Sequence, residues 1–299
     1  MSTAIGRVVC LGDLMIDVMA VLDNPLSIGS DTPAPIEFRH GGAAANTAAW
    51  LAELGVPASF VGRVGDDAFG RSAVEVLASH GVRVLAGIDG SAATGVCIVL
   101  VGSDGERTMI PSAGANENLS VANLPELVLE AGDRLHVSGY SLISEGSRDA
   151  ARFAIRRASD AGVPITVDAA SADPIRHLGA ETFLAMVEPS ATLLANHDET
   201  SVLTGITDSG LAAMKLSERF AGVVVKRGAR GATVAQNGVL TEIPTEEVEV
   251  IDSTGAGDAF AAGVLAALHG GADLVAAVRL GNQLGARAVA ALGARPRST

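Results

Sequence analysis

The chain has 299 residues, a net charge of −13 at pH 7 and an apolar content of 48%. These values describe a folded acidic protein without the basic surface of a nucleic-acid or anionic-membrane binder, although a local site can still bind a nucleotide. Its two cysteines match neither a disulfide framework nor a metal-binding spacing, so we expect a protein of the reducing cytoplasm, and no apolar stretch is long enough to span a membrane.

Short β-rich runs alternate with Ala- and Leu-rich helical stretches along most of the chain. The strands that this pattern predicts are 7–11, 59–65, 134–139, 163–169, 192–196, 222–228 and 247–251. The clearest predicted helices are 46–55, 67–81 and 258–270. Such alternation predicts a mostly parallel sheet with helices on both faces.

Two stretches interrupt this alternation. Residues 18–40 hold three prolines and no helical period. Residues 94–111 are typical of a hairpin, with a turn at 103–106. We predict that the two stretches form a small separate sheet, a strand-built lid, on one compact domain that spans residues 1–299.

A loop of small residues connects the last predicted strand to the helix that follows it. Gly255, Ala256 and Gly257 follow the predicted strand 247–251 and lead into Asp258 at the helix start. Ligands of open α/β sheets bind at this edge, and free N–H groups at a helix start attract anions. Asp258 would repel a resting anion there, but it suits a base that takes a proton from an alcohol during phosphoryl transfer. Gly and Asp are also ordinary helix-capping residues, so the loop alone leaves a structural role open.

Polar residues near the N-terminus suggest an acceptor site. Asp13 and Asp17 follow the first strand, and paired carboxylates can accept hydrogen bonds from two sugar hydroxyls. Gly41 and Gly42 precede a helix that carries Asn46, and close backbone approach plus an amide suits a polyol. Helix capping is the alternative for both groups.

The motifs in this order resemble the PfkB (ribokinase-like) family of carbohydrate and nucleoside kinases. The resemblance covers essentially the whole chain. The segments that carry it are GGAAAN at 41–46 with GRVGDDAFG at 62–70, NHDE at 196–199, KRGARG at 226–231, DSTGAGDAFAAG at 252–263 and GNQLGARAV at 281–289. The fold it implies is a three-layer α/β sandwich with a mostly parallel central sheet and a small β-strand lid.

The resemblance implies an ATP- and Mg²⁺-dependent phosphotransferase in which Asp258 is the base and residues 255–257 form the anion hole. The acceptor would be held by Asp13, Asp17, Gly41, Gly42 and Asn46. The nucleotide would be held by Asn196, Lys226, Gly228, Gly231 and Asn282, with Glu199 acting indirectly on the magnesium. Many relatives form homodimers through the lid, and we expect the same here.

Several relatives also bind a monovalent cation, K⁺, beside the anion-hole loop. The positions that match this site are Asp252, Thr254, Ala288, Ala291 and Gly293. Where a hydroxyl residue is common, this chain has Arg297, with Ser298 next to it. Backbone carbonyls supply most ligands of such a site, so the side chains constrain it weakly.

Departures from the family pattern bear on the acceptor. The segment GGAAAN lacks the lysine of ribokinases, and HVSGYS at 136–141 lacks their sugar-binding glutamate. Residues 43–45, directly after the glycine pair, are all alanine, which disfavours a phosphorylated acceptor, although Arg39 or His40 could serve a second phosphate. The sequence is therefore compatible with fructose-like sugars, keto-sugar acids or nucleosides.

The same sequence features separate four function classes. Aromatics make up only 3% of the chain, which favours a small sugar over the alternative of a nucleoside kinase. A nucleotide-sensing protein on the same fold would be expected to have lost Asp258 or the anion-hole loop. A dinucleotide-dependent dehydrogenase would need G-x-G-x-x-G after the first strand, where this chain reads GDLMID.

Three further residues are cleft candidates. Asp168 ends a predicted strand at the ligand edge, and Tyr140 could stack on a sugar or base. His136 lies within an apolar strand and suits the core or the cleft better than catalysis.

Overall fold

The computed structural model describes residues 6–102, 107–124, 128–291 and 293–296. The strands are β1 (Val8–Leu11), β2 (Met15–Val21), β3 (Ile36–Gly41), β4 (Ala58–Gly65), β5 (Arg83–Asp89), β6 (Gly95–Val101), β7 (Arg107–Ser112), β8 (Arg134–Ser138), β9 (Ile165–Asp168), β10 (Thr192–Asn196), β11 (Gly222–Lys226), β12 (Ala232–Gln236) and β13 (Val239–Ile243). The helices are α1 (Ala43–Glu53), α2 (Ala68–Ser79), α3 (Tyr140–Ile143), α4 (Arg148–Asp160), α5 (Ala172–Leu178), α6 (Ala180–Leu184), α7 (His197–Thr204), α8 (Ser209–Ser217), α9 (Ala256–His269) and α10 (Leu274–Val289).

The central sheet has nine strands in the order β13-β12-β11-β10-β9-β8-β1-β4-β5. The seven neighbouring strands β11, β10, β9, β8, β1, β4 and β5 are parallel to one another. The strands β12 and β13 extend this sheet at the β11 edge through antiparallel pairs. The predicted mostly parallel sheet is thus confirmed. The strands β5, β12 and β13 were not predicted from the sequence pattern.

Helices cover both faces of this sheet because its strands are apolar on both sides. Val9 and Leu11 of β1 pack into a core built with α4 to α8, whereas Val8 and Cys10 pack with α1, α2 and α9 on the opposite face. A strand that buries both faces reads as a continuous apolar run, as VVCL does. The result is the predicted three-layer sandwich.

The predicted strand at 247–251 is wrong. Residues 244–250 have no regular structure, and Val248, Val250 and Ile251 are exposed. The alternation of Glu with Val imitates a half-buried strand. The antiparallel strand β13 ends just before this segment, which instead runs as a loop to α9. The anion-hole loop is therefore entered from a loop rather than from a strand.

A second sheet of four strands, ordered β3-β2-β6-β7, lies beside the main one. It forms from the two stretches predicted to do so, and the turn expected at 103–106 lies outside the described residues. One boundary differs from the prediction, since β2 begins at Met15 and Asp17 therefore belongs to this small sheet. No helix in the described part of the chain is long and apolar enough to cross a membrane.

Candidate active site

A cavity of about 1140 Å³ lies between the carboxyl ends of the parallel strands and the inner face of the small sheet. Most of the predicted site residues line it. These are Asp13, Asp17, Gly42, Asn46, Asn196, Glu199, Lys226, Gly228, Gly231, Thr254, Gly255, Ala256, Gly257, Asp258 and Asn282. The predicted positions that do not line it are Gly41, Asp252, Ala288, Ala291 and Gly293.

The start of α9 presents backbone N–H groups to the cavity. Gly255 precedes the helix with a φ of 73°, and a β-carbon there would lie 2.6 Å from the Cα of Ala294. The N–H groups of Gly257 and Asp258 lie in the first turn, where no helical carbonyl stands four residues back to accept them. The ammonium group of Lys226 lies 3.5 Å from where a β-carbon of Gly257 would be. Free N–H groups, the helix dipole and one cation therefore converge on this loop.

Asp258 faces the cavity from this first turn. Its Oδ2 accepts a hydrogen bond from Nδ2 of Asn46 at 2.9 Å, and its side chain does not cap the helix. Burial raises the pKa of Asp258 to about 7, and the charges of Asp168 and Asp13 add to this effect. The Asn46 hydrogen bond and Lys226 oppose it. A carboxyl group with such a pKa can accept a proton near neutral pH.

Arg295, which was not predicted as a site residue, holds Asn46 in place. Its Nε donates to Oδ1 of Asn46 at 2.9 Å, and its Nη2 donates to the Gly41 carbonyl at 2.8 Å. With Oδ1 engaged in this way, Nδ2 of Asn46 must face Asp258. Burial lowers the pKa of Arg295 to about 10, while Asp17, Asp258 and Asp13 oppose that shift. No motif or spacing singles out this residue, because its contact with Asn46 spans 249 positions in the chain.

The carboxylates of Asp13 and Asp17 approach each other across the glycine pair. Oδ2 of Asp13 accepts from the Ala43 N–H at 2.9 Å, and its Oδ1 is buried without a partner in the described residues. Burial raises the pKa of Asp17 to about 6, Arg295 and Arg39 lower it, and Asp13 raises it further. A β-carbon on Gly41 would overlap the Asp17 carboxylate. The glycine pair therefore permits a compact acidic surface.

Neither basic candidate for a second phosphate reaches the cavity. Nε2 of His40 lies 3.1 Å from the Ser72 hydroxyl. Arg39 points toward Glu37 and Asp252. Neither side chain lines the cavity wall.

A second cluster of charges lies beside the anion-hole loop. Lys226 forms an ion pair of 2.7 Å with Asp168. The N–H and side-chain amide of Asn196 donate to the two carboxylate oxygens of Glu199, each at 2.7 Å. Burial raises the pKa of Glu199, and Lys226 lowers it.

Asn282 lines the cavity and contacts the loop after β13. Its side-chain nitrogen donates to the carbonyls of Ile243 and Pro244, each at 3.1 Å. Gly231 has a φ of 79°, and a β-carbon there would overlap the Ile243 carbonyl. Both residues thus shape the wall formed by this loop.

Two polar side chains that line the cavity have atoms without a hydrogen-bond partner within the described part of the chain. Nδ1 of His136 and Oγ of Ser138, both on β8, are buried without a hydrogen-bond partner in the described residues. Burial lowers the pKa of His136 to about 4, so the ring is neutral at physiological pH. Both residues line the cavity, as do Asp168 and Tyr140. His136 is therefore a cleft residue with a neutral ring.

The residues predicted to hold K⁺ surround the start of the anion-hole loop. Oδ1 of Asp252 accepts from the Thr254 N–H at 2.8 Å, and Oδ2 accepts from the Gly293 N–H at 2.9 Å. The Ala288 carbonyl accepts the N–H of Ala291 at 3.1 Å. Arg297 and Ser298 lie outside the described residues. Within the described ranges, no group of three or more His, Cys, Asp or Glu side chains is placed to hold a metal ion.

Comparisons with known proteins identify the family. The profile described as "pfkB family carbohydrate kinase" matches residues 6–299. A fructokinase of Klebsiella pneumoniae is 32% identical over 97% of this chain and 95% of its own length. An ATP-dependent ribose-1-phosphate kinase of Halopiger xanaduensis is 33% identical over 96% of this chain and 90% of its own.

Solved structures show the same fold. Fructokinase from Vibrio cholerae, bound to fructose, ADP and calcium, matches with a TM-score of 0.81 and 27% identity, over 98% of this chain and 95% of that one. Adenosine kinase from Sinorhizobium meliloti matches with a TM-score of 0.88 and 25% identity, over 98% and 96%. The resemblance seen in the sequence is confirmed. The chain therefore belongs to the PfkB family of carbohydrate kinases and is a phosphotransferase with an alcohol group as its acceptor.

Proposed function

We propose that this kinase transfers the γ-phosphate of ATP to a hydroxyl of a small uncharged sugar, with a fructose-like ketose as the first candidate. The observation that carries the proposal is the distribution of charge in the cavity. Asp13 and Asp17 line the acceptor end beside Asp258. Lys226 is the only Lys or Arg among the cavity-lining residues that the structure describes, and it lies at the anion-hole loop.

This distribution favours an uncharged acceptor over a sugar phosphate or a sugar acid. Ionised carboxylates accept hydrogen bonds from hydroxyls but repel an anion. The lack of contact between the cavity and Arg39 or His40 removes the basic side chains that a second phosphate would need. Similarity to fructokinases from Klebsiella pneumoniae and Escherichia coli supports the same substrate class.

In the proposed reaction Asp258 takes the proton of the attacking hydroxyl, which the acceptor carboxylates and Asn46 orient. The N–H groups at the start of α9 and the Lys226 ammonium hold the transferred phosphoryl group. ATP would enter from the side of Asn196, Gly228 and Asn282. The inner face of the small sheet would then close over the acceptor and exclude water.

We propose Mg²⁺ as the divalent ion that accompanies ATP. Both oxygens of Glu199 are engaged by Asn196, so Glu199 would orient water around the ion rather than bind it directly. When bound, the ion would neutralise charge on the phosphates. Solved relatives support this, since a putative ribokinase from Escherichia coli was crystallised with ATP and Mg²⁺.

A nucleoside is the second candidate acceptor. Tyr140 lines the cavity and is 40% exposed, and Met15, Met109 and Pro111 of the small sheet add apolar surface to the cavity wall. A base could lie against these side chains. The adenosine kinase and an aminoimidazole riboside kinase from Salmonella enterica share the fold.

We further propose that residues 1–299 act as one domain, that the small sheet is its lid, and that two lids associate in a cytoplasmic homodimer. Apolar side chains on the outer face of the small sheet support the association. Phe38, Ile98 and Ile110 are 63%, 42% and 52% exposed. Exposed apolar sheet surface of this kind favours a protein partner.

The function is tested with a panel of ketoses, aldoses, sugar acids, sugar phosphates and nucleosides, measured as ADP formation with ATP and Mg²⁺. Mass spectrometry identifies the phosphorylated product. We expect turnover with an uncharged sugar, and none by the Asp258→Asn protein with that sugar. Turnover restricted to nucleosides would select the second candidate, and preference for a sugar phosphate would contradict the charge argument.

A further inference from the structure

The family resemblance predicts a monovalent cation beside the anion-hole loop, and Asp252 is the one acidic residue among the matching positions. Such a site needs oxygen atoms turned toward the ion. In this chain each carboxylate oxygen of Asp252 already accepts a backbone N–H, from Thr254 at 2.8 Å and from Gly293 at 2.9 Å. Among the described residues, both carboxylate oxygens of Asp252 therefore face hydrogen-bond donors.

A guanidinium group lies at the same carboxylate. Nη1 of Arg39, which extends from strand β3 of the small sheet, is 3.6 Å from Oδ2 of Asp252. This nitrogen is buried and has no hydrogen-bond partner in the described residues. A β-carbon on Gly293 would be 3.3 Å from it. Nη1 therefore lies next to Asp252 and Gly293, two of the positions that the resemblance assigns to the cation site.

The other side of the same guanidinium is also held. Nε and Nη2 of Arg39 donate to Oε2 of Glu37 at 3.1 Å and 2.6 Å. The Arg39 side chain is only 24% exposed, compared with 65% for the surface arginine Arg71. The two hydrogen bonds to Glu37 orient the guanidinium plane, and arginine stays charged at any physiological pH.

A monovalent cation bound to Oδ2 of Asp252 would share that oxygen with the guanidinium. Two positive charges that contact the same buried carboxylate oxygen repel each other strongly, because little water is present to screen them. Arg39 and a bound K⁺ are thus alternatives at this carboxylate.

We propose that Arg39 takes the place of the monovalent cation, so that this kinase holds its anion-hole loop without K⁺. Arg39 is part of the small sheet, whereas Asp252 begins the segment that ends in Asp258. The same ion pair therefore joins the small sheet to the anion-hole loop.

The test compares the wild type with Arg39→Met, which keeps the apolar stem and removes the charge. Arg71→Met is the matched control, because Arg71 pairs with Asp66 on the surface, away from this site. The midpoint Tm of each protein is measured in KCl and in tetramethylammonium chloride at equal ionic strength. Initial rates are measured in the same salts with the best acceptor.

We expect the Tm of the wild type and of Arg71→Met to be the same in both salts. Arg39→Met should gain a higher Tm in KCl, since an ion that binds only the folded state stabilises it, and its rate should rise about tenfold with K⁺. The Tm comparison requires no turnover, so it separates failure of this inference from failure of the kinase assignment.

A wild-type Tm that rises in KCl but not in tetramethylammonium would overturn the proposal whatever the variant does. So would a folded Arg39→Met protein whose Tm and rate ignore K⁺. If Arg39→Met folds only in KCl, the proposal is supported.

Discussion

Replacement of Asp258 by asparagine should abolish turnover and leave acceptor binding largely intact. Asparagine keeps the shape of the side chain and can still accept the hydrogen bond from Asn46 through its amide oxygen. It cannot take the proton of the attacking hydroxyl. Loss of a general base costs about 10²–10⁴ in rate, which corresponds to roughly 3–5 kcal/mol of transition-state stabilisation.

The same replacement should stabilise the free enzyme above pH 7. The pKa of Asp258 is about 7 in the folded chain against an ordinary value of 3.8, so its ionised form is disfavoured by folding. This penalty is absent below the ordinary pKa, grows as the pH rises toward 7, and corresponds to at most about 4 kcal/mol. The asparagine side chain carries no charge at any pH and would escape the penalty.

Three measurements check this reasoning. Steady-state kinetics give kcat and KM for both proteins, and urea unfolding at pH 5 and pH 8 gives their free energies of unfolding. The wild-type kcat/KM should also rise with pH through about 7 as Asp258 loses its proton. Near-normal kcat in a folded Asp258→Asn protein would show that Asp258 is not the base, and equal stabilities at pH 8 would show that its burial is not costly.

Three further predictions concern the acceptor site and the small sheet. Asp13→Asn should raise KM for the sugar about tenfold or more along with any fall in kcat, because its carboxylate orients hydroxyls in both ground and transition states; an unchanged KM would remove Asp13 from the acceptor site. Arg295→Met should lower kcat about tenfold and shift the rising limb of the pH profile to higher pH, since it frees Asn46 and removes a positive charge near Asp258. If Arg295→Lys restored both kcat and the pH profile, the charge at position 295 alone would explain the effect, and the hydrogen bonds to Asn46 and Gly41 would not be needed. Phe38→Glu should convert the proposed dimer to a monomer in sedimentation experiments, whereas a wild type that already sediments as a monomer would refute the association through the small sheet.

Local patterns in the sequence determined the alternating elements and the order of the motifs. The apolar run VVCL predicts a buried strand, and the structure places it as β1 in the middle of the central sheet. The Gly-Ala-Gly-Asp loop predicts a helix start at an anion site, and α9 begins at Ala256. These features were readable because short-range periodicity and the geometry of small residues act within a few positions.

The tertiary structure alone decided which of these segments meet. The alternation at 247–251 satisfies the pattern of a strand, yet a strand also needs a paired neighbour, and these residues join neither sheet of the described structure. Asp17 reads as a loop residue but pairs into the small sheet through β2. The contacts of Arg295 with Asn46 and of Arg39 with Asp252 join residues more than two hundred positions apart. Such contacts depend on how the two sheets and their helices pack together, and no pattern within a few residues of the sequence predicts that packing.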